Sequence, residues 1–334
     1  MKNLQVVLGR RPSGAPVPED FELFAAPMPV PGEDDVLVRT TYLSVDPALR
    51  PRMNAVSAYA GPVAIGAVIP SPALGVVIRS LSPHFRPGDH VTGFFGWQAY
   101  AVVPADGLRQ IDIDRAPEPK WLSLLGLSAF TAYVGVAELG RPRPGETLVV
   151  SAAAGATGAV AGQIARIFGA RSVGIAGGPE KCAHVVDELG FDACLDYRAP
   201  DFVERLDAAC PAGIDVDFEN VGGDVLRAVF DRMNVAGRVI LCGLVAEYNS
   251  DQWAAGPSLW PAVYKSLRIE GFRASRHFDR IPEFVDKALA WAAEGRLRQS
   301  EHIVEGLANA PAAFCQMLAG RHLGKVMVRV EENL

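Results

Sequence analysis

Residues 147–197 constrain this chain more than any other stretch. The apolar run Thr147-Leu-Val-Val150 reads as a strand, Gly155 and Gly158 as a tight turn, and Gly158 to Phe168 as a helix of small residues. A strand, a glycine turn and a helix whose first amides point outward form a pyrophosphate site. The amides concerned are those of Gly155, Ala156, Thr157 and Gly158. Ala153 fills the first glycine position, so the pattern is A-x-G-x-x-G, which taken alone also describes a helix packed closely on a strand. About 20 residues on, an NAD site would end its second strand in an acid that accepts the ribose hydroxyls. Instead Ser172-Val-Gly-Ile-Ala176 runs into Gly177-Gly178 and then Pro179-Glu180-Lys181. An acid would repel a 2′-phosphate and Lys181 would attract one, so the ligand implied is NADPH.

The alternation continues down the chain. Helix 179–190, strand 193–196, helix 200–210, strand Ile214–Glu219, helix 223–235 and strands Gly237–Cys242 and Leu267–Phe272 are expected in that order. Strands alternating with helices predict a doubly wound parallel sheet, the Rossmann arrangement, which binds ligands at the carboxyl ends of its strands. Asn220 ends one such strand, either near the ribose or nicotinamide or in an Asx turn ahead of the next helix. Gly243 ends the next strand and lets the backbone approach the nicotinamide, while Cys242 is expected only to pack.

Length sets a prior of two domains for 334 residues. The first third differs from the middle. Val36-Leu-Val-Arg39, Gly75-Val-Val-Ile78, His90-Val-Thr92 and Tyr100-Ala-Val-Val103 are short strand-like runs punctuated by Pro31-Gly32, Pro87-Gly88 and Pro104. That is the pattern of a barrel-like β domain. The end returns to a short helix, Ala310–Leu318, and a strand, Lys325–Val330, expected to pair with the N-terminal β domain. The expected division is a discontinuous β-rich (GroES-like) catalytic domain, residues 1–119 and 296–334, around an NADPH-binding domain, residues 120–295.

Composition removes several function classes. A net charge of −6 with no basic block argues against nucleic acid and anionic membranes as partners. Leu4–Leu8 is too short for a signal sequence. The apolar segments Leu122–Ala137 and Val149–Ala165 fall short of the ~20 residues of a spanning helix; the first is expected to be a buried helix at a domain seam. The five cysteines form no C-x-x-C, and an odd count suits a reducing cytoplasm. The histidines are scattered, so no metal site is expected.

Tyr42-Leu-Ser-Val-Asp-Pro-Ala-Leu-Arg50 with Arg52-Met53 resembles the L-S-x-D-P-x-x-R-x-R-M segment of the zinc-independent prostaglandin reductase/2-alkenal reductase group of medium-chain dehydrogenases/reductases, which includes curcumin reductase-like enzymes. Ser57-Ala-Tyr59, Gly96-Trp-Gln-Ala-Tyr100, Pro144-Gly-Glu-Thr147, Glu219-Asn-Val-Gly-Gly223, Cys242-Gly243 with Tyr248-Asn249, and Glu270-Gly271 match the same group, so the resemblance spans the chain. The zinc-dependent cousins carry a Cys ligand where this chain has Leu43-Ser-Val-Asp46, and their Gly-His-Glu is absent. The chain departs from the group at Leu127-Ser-Ala129, in place of Met-Pro-Gly, and at His322-Leu-Gly-Lys325, in place of Asn-x-Gly-Lys.

The resemblance implies that Tyr197 joins Lys181 at the 2′-phosphate and that His322 takes the place of an asparagine that contacts the cofactor. Tyr248 is the candidate proton donor or enolate partner, since a phenol is a protonated donor at neutral pH. Tyr59 and Trp97 are candidates for the substrate wall. Arg50 and Arg52 are expected to pair with Asp46 rather than with a ligand.

The function expected is NADPH-dependent, metal-free reduction of the C=C bond of α,β-unsaturated aldehydes or ketones. Hydride goes to the β-carbon, and donors stabilise the enolate before it is protonated. Quinone reduction and non-catalytic NADPH sensing are the alternatives. The resemblance also implies a homodimer, with strand Leu267–Phe272 as the pairing edge.

Overall fold

A computed structural model describes residues 2–57, 60–250 and 255–331. The chain divides into two compact units, residues 1–123 with 301–334 and residues 124–300.

The first unit is built on a seven-stranded sheet. Its long strand Asp35–Ser44 pairs antiparallel with Ala73–Ser80, Tyr100–Pro104 and the returning strand Lys325–Arg329. The return is driven by burial: Val326, Met327 and Val328 are at most 3% exposed, and Met327 lies opposite Ser44. Glu301–Glu305 then adds to the returning strand in parallel. That strand has only three residues between charged ends, too short a signal to be read from periodicity. Lys2–Leu8 and Phe21–Pro27 form a separate antiparallel pair. The core joins Val6, Leu8, Val38, Leu43, Trp97 and Phe314.

The second unit is the doubly wound half. Its six strands are all parallel, in the spatial order Ala193–Asp196, Arg171–Ala176, Thr147–Ser151, Ile214–Glu219, Met233–Leu241, Arg268–Gly271. The first strand in sequence and the fourth are neighbours, so strand order reverses between Thr147–Ser151 and Ile214–Glu219. Ligands bind at the carboxyl ends beside such a reversal. Both inner strands are buried on both faces, as a sheet covered by helices on each side requires. Arg268–Gly271 is the edge strand.

Several boundaries differ from the sequence expectation, and three of the differences have a structural setting. The helix after the glycine turn begins at Ala156 and not at Gly158. The helix expected over 223–235 ends at Asp231, because Met233 is drawn into the sheet opposite Ile214 and is 2% exposed. The buried helix expected from Leu122 begins at Leu127 and continues through a π-helical turn to Gly140. Arg141 then closes it in the left-handed region at φ 45°. Its Phe130 and Tyr133 rings pack on Phe284 at 5.6 and 5.4 Å. Among the described residues no helix is long and apolar enough to cross a membrane.

Candidate functional site

The glycine turn joins the strand Thr147–Ser151 to the helix Ala156–Ile167. Gly155 is the N-cap at φ −88°, a value any residue adopts, while the positive φ falls on Ala152 at 52°. Gly158 is the residue that must lack a side chain. A Cβ there would lie 2.4 Å from the Ala152 carbonyl oxygen. Gly162, one turn on, does the same service for packing, since a Cβ would strike the Phe191 ring at 2.0 Å. The tight turn runs from Ala152 to Gly155, whose amide donates to the Ala152 carbonyl at 2.9 Å, and Gly158 lies in the first turn of the helix, packed against that carbonyl. The first-turn amides of Ala156, Thr157 and Gly158 open at the carboxyl end of the sheet, where a helix N-terminus favours anions.

A cationic cradle stands beside this turn. Gly178, at φ 98°, is the N-cap of the helix Pro179–Asp187, and its amide donates to Asp196 Oδ1 at 2.9 Å. The same oxygen accepts the Arg198 amide at 3.0 Å. Asp196 thus fixes the ends of two neighbouring strands. A Cβ on Gly177 would lie 3.0 Å from the Tyr197 ring and 3.2 Å from the Arg198 guanidinium carbon, so this glycine opens the space beneath both. The Arg198 guanidinium lies 5.4 Å from the centre of the Tyr197 ring. Lys181 is half-buried, and its ammonium is held below its ordinary range first by burial and then by the like charge of Arg198. Two cations held close enough to perturb one another form a site for a multiply charged anion. Gly177 packs against Tyr197 and Arg198, and Lys181 is near enough to Arg198 to be lowered by its charge. Arg198 was missed, although its position directly after Tyr197 was the available signal.

A second group of residues converges at the reversal point. Asn220 donates from its backbone amide to Ser151 Oγ and from its side-chain amide to the Ser151 carbonyl, each at 2.7 Å. The Asn220 amide is thus engaged in tying the two strand ends together. Ser151 Oγ donates to Glu219 Oε1 at 2.9 Å, and that oxygen also accepts the amides of Val221 and Gly222. The Glu219 carbonyl accepts the amides of Cys242 and Gly243. Glu219, absent from the sequence-derived site, organises three strand ends at once. A Cβ on Gly243 would lie 3.1 Å from Tyr248 Oη and 3.5 Å from the Asn220 carbonyl oxygen. The phenol of Tyr248 therefore stands over the bare backbone of Gly243, beside Asn220.

Burial raises the Glu219 carboxyl, against the pull of the hydrogen bonds it accepts. Asp217, two residues earlier on the same face of the strand, is raised well above the ordinary carboxylate range by burial and by Glu219. Burial, with Glu219, pushes the Cys242 thiol up to about 12, so it is protonated and packs as expected.

The remaining sequence candidates belong to the first unit. Tyr59 lies outside the described residues. Trp97 is 0% exposed and stacks on Phe21 at 5.8 Å and edge-on to Phe314 at 5.9 Å. Its indole donates to the Ser44 carbonyl at 3.2 Å. It is a core residue and not a substrate wall, because its whole surface is used by its neighbours. His322 is half-buried in the turn before the strand Lys325–Arg329. The ion pair expected between Asp46 and Arg50 or Arg52 is replaced by a buried one: Lys325 Nζ donates to Asp46 Oδ1 and Ser44 Oγ, each at 2.5 Å. Arg50 instead donates to the Gly14 carbonyl and Asn54 Oδ1, and Arg52 to the Gly61 carbonyl. Lys325 lies 281 residues from Ser44 in the chain, so no local spacing could reveal the pair. Among the described residues no group of His, Cys, Asp and Glu is placed to hold a metal ion.

Similarity to known proteins extends along the chain. Residues 4–111 match the family described as the N-terminal domain of oxidoreductase, and residues 156–291 the family described as zinc-binding dehydrogenase. The chain is 44% identical to an NADPH-dependent curcumin reductase of Escherichia coli, over 98% of this chain and 97% of that one. It is 34% identical to a 2-alkenal reductase (NADP(+)-dependent) of Nicotiana tabacum, over 100% and 99% of the two chains. Among solved structures, CurA from Vibrio vulnificus in complex with NADPH is similar at a TM-score of 0.94 and 39% identity, covering 98% of this chain and 99% of that one.

Proposed function

The chain belongs to the medium-chain dehydrogenase/reductase family, in the group that holds curcumin reductases and 2-alkenal reductases, and from that premise we propose that it is an NADPH-dependent reductase of the C=C bond of α,β-unsaturated aldehydes and ketones. The observation that carries the cofactor half of this reading is the pair Lys181 and Arg198, set at a strand end that offers glycine where an NAD site needs an acid. In this reading residues 124–300 form the NADPH-binding domain and the β-rich unit is the catalytic domain.

Each part of the cofactor has residues suited to it. Gly158 lets the helix pack directly on the Ala152 carbonyl, which sets the amides of Ala156 and Thr157 where a pyrophosphate can reach them. Lys181, Tyr197 and Arg198 hold the 2′-phosphate above Gly177. Asn220, braced on Ser151, and Gly243 line the place for the nicotinamide ribose and ring. His322, in place of the group's asparagine, is assigned to the cofactor in this reading. Bound NADPH supplies the hydride for the β-carbon. The chain then has to stabilise the negative charge that develops on the substrate oxygen and to return a proton. Tyr248 Oη, over Gly243, is the donor assigned to that oxygen.

A homodimer paired through the edge strand Arg268–Gly271 completes the reading. It is supported by the exposed apolar side chains of Ile269 on that strand, Val235 on the neighbouring strand, and Trp260, Val263 and Tyr264 on the helix before it. Five free thiols accord with a cytoplasmic protein. A monomeric mass in light scattering would remove the dimer.

The test is the rate of NADPH oxidation with a panel of enals, enones and quinones, run in parallel with NADH. Turnover of enals or enones with a preference for NADPH is the expected result. Turnover of quinones alone would keep the cofactor and move the chemistry. Tight NADPH binding with no turnover would favour a non-catalytic sensor.

A further inference from the structure

Strand Ile214–Glu219 carries a carboxyl that nothing around it satisfies. Asp217 is 0% exposed, and neither of its oxygens has a hydrogen-bond partner among the described residues. It lies in register between Val149 and Val239, one on each neighbouring strand. Both valines belong to the core that also takes Phe202 and Leu206 from the helix Phe202–Ala209, and Val225 and Val229 from the helix Gly223–Asp231. A carboxyl in such a place is neutral, because an unpaired charge is strongly disfavoured in an apolar interior.

Glu219 follows two residues on. Side chains alternate along a strand, so the two carboxyls share a face, with their Cα atoms about 6.6 Å apart. Glu219 Oε1 accepts the Ser151 hydroxyl at 2.9 Å, the Gly222 amide at 2.7 Å and the Val221 amide. Its Oε2 has no partner among the described residues. The turn 219–222, which carries Asn220, is therefore pinned through a single oxygen. The other ionisable groups around Asp217 stand back from it. The charged residues of the two covering helices, Glu204, Arg205, Asp207, Asp224, Arg227 and Asp231, are exposed. Cys210, after the first helix, and Cys242, just past the neighbouring strand, are thiols that burial pushes up to about 11 and about 12, so both are protonated through neutral pH. Glu219 is the group whose charge acts on Asp217.

We propose that Asp217 is a positioning residue for dinucleotide binding, acting through Glu219: neutral, it leaves the turn 219–222 closed, and ionised, it opens that turn and lowers the affinity for both nicotinamide cofactors. The inference deepens the NADPH reading above and rests on it. Loss of the Asp217 proton leaves a charge that no donor compensates, beside Glu219. Water relieves it, and the nearer way in is the carboxyl end of the strand, past Glu219 and the amides of Val221 and Gly222. Those amides are released, and Asn220, whose two bonds to Ser151 tie the strand ends together, is released with them. Binding then takes up one proton above the Asp217 midpoint, so the Kd rises with pH, by at most about tenfold per pH unit. Lys181 leaves a different signature, because loss of its charge acts on the 2′-phosphate, which NADH lacks.

The test is fluorescence titration of the full-length protein with NADH from about pH 6 to about pH 9.5 at fixed ionic strength. The Kd should be flat at the acid end and rise by at least about fivefold at the alkaline end. Asp217→Asn cannot ionise and should keep the acid-end Kd throughout. Hydrogen–deuterium exchange of the cofactor-free protein reads the turn itself. Protection of the peptide holding Val221 and Gly222, corrected for the intrinsic pH dependence of exchange, should fall over the same interval in the wild type and not in Asp217→Asn, while peptides of the β-rich unit keep theirs. A wild-type NADH Kd flat across the range, an equal rise in Asp217→Asn, or unchanged protection of the turn where the Kd rises would overturn the proposal. The two wild-type profiles decide it even if the variant does not fold. Absence of dinucleotide binding at pH 6 would defeat the cofactor reading, and the exchange profile would still report whether the turn responds to Asp217.

Discussion

Replacing Lys181 with alanine should separate the two nicotinamide cofactors. The lysine is half-buried and works beside Arg198, which remains in the variant. A hydrogen bond to a charged group contributes about 1.5–3 kcal/mol. The survival of Arg198 places the loss near the middle of that range, about 2 kcal/mol, or about a 30-fold rise in the Kd for NADPH. NADH carries no 2′-phosphate and should change by less than about twofold. The electrostatics give a second reading. Burial and Arg198 lower the Lys181 pKa, so the wild-type preference for NADPH should be full below that lowered value and fade as pH rises through it. Arg198→Ala removes one of the two causes and should move that fade upward. The assay is fluorescence titration of both cofactors at fixed ionic strength, because phosphate contacts are screened by salt. An equal loss for both cofactors in Lys181→Ala, or no loss of NADPH affinity in Arg198→Ala, would refute the cradle.

Three other perturbations have defined outcomes. Tyr248→Phe should lower kcat by about 10²-fold and leave KM nearly unchanged, if the hydroxyl acts in the transition state; an unchanged kcat in single-turnover kinetics would reduce it to a wall residue. Trp97→Phe should cost about 1–3 kcal/mol in denaturant unfolding through lost packing and the lost bond to Ser44, with KM unaltered; a KM change without a stability change would restore it to the substrate wall. Asp217 has a raised native pKa, so the wild type should lose stability as pH climbs from the unfolded value of about 3.9 toward that native value. Asp217→Asn cannot ionise and should gain on the wild type over that range, and parallel melting curves from about pH 4 to pH 8 would contradict the burial argument.

The cofactor half of the candidate site could be proposed from the sequence because its chemistry is local. Gly158, Gly177, Lys181 and Tyr197 lie within 40 residues of one another, and each follows a strand whose apolar run is plain in the sequence. The boundaries slipped where tertiary packing overrides local pattern: Ala152 takes the strained φ that glycine would ordinarily take, and Met233 leaves a helical register to fill the sheet. The β-rich unit was legible as a class and not in detail. Trp97 sits in a motif shared with the reductase group, yet nothing in the motif tells an aromatic that lines a cleft from one that fills a core. Only its contacts with Phe21 and Phe314, 76 residues before it and 217 after it, decide that. Lys325 and Asp46 carry the same lesson in charge, since a buried ion pair across the chain leaves no spacing to read.

The two buried carboxyls on strand Ile214–Glu219 explain how the carboxyl edge of the parallel sheet holds its shape. Both are 0% exposed, but they differ in what surrounds them. Glu219 accepts the Ser151 hydroxyl and the amides of Val221 and Gly222, while its backbone carbonyl takes the amides of Cys242 and Gly243. It fixes the ends of three adjacent strands, and so fixes Asn220 and Gly243 relative to Ser151. Asp217 has no hydrogen-bond partner for either oxygen among the described residues, and its charge would act directly on Glu219. An ionised Asp217 would therefore place a like charge beside Glu219 and its hydrogen bonds to the turn. Keeping Asp217 protonated removes that repulsion and leaves Glu219 able to brace the strand ends, so the two groups work as a pair in which one proton held by burial protects the geometry set by the other.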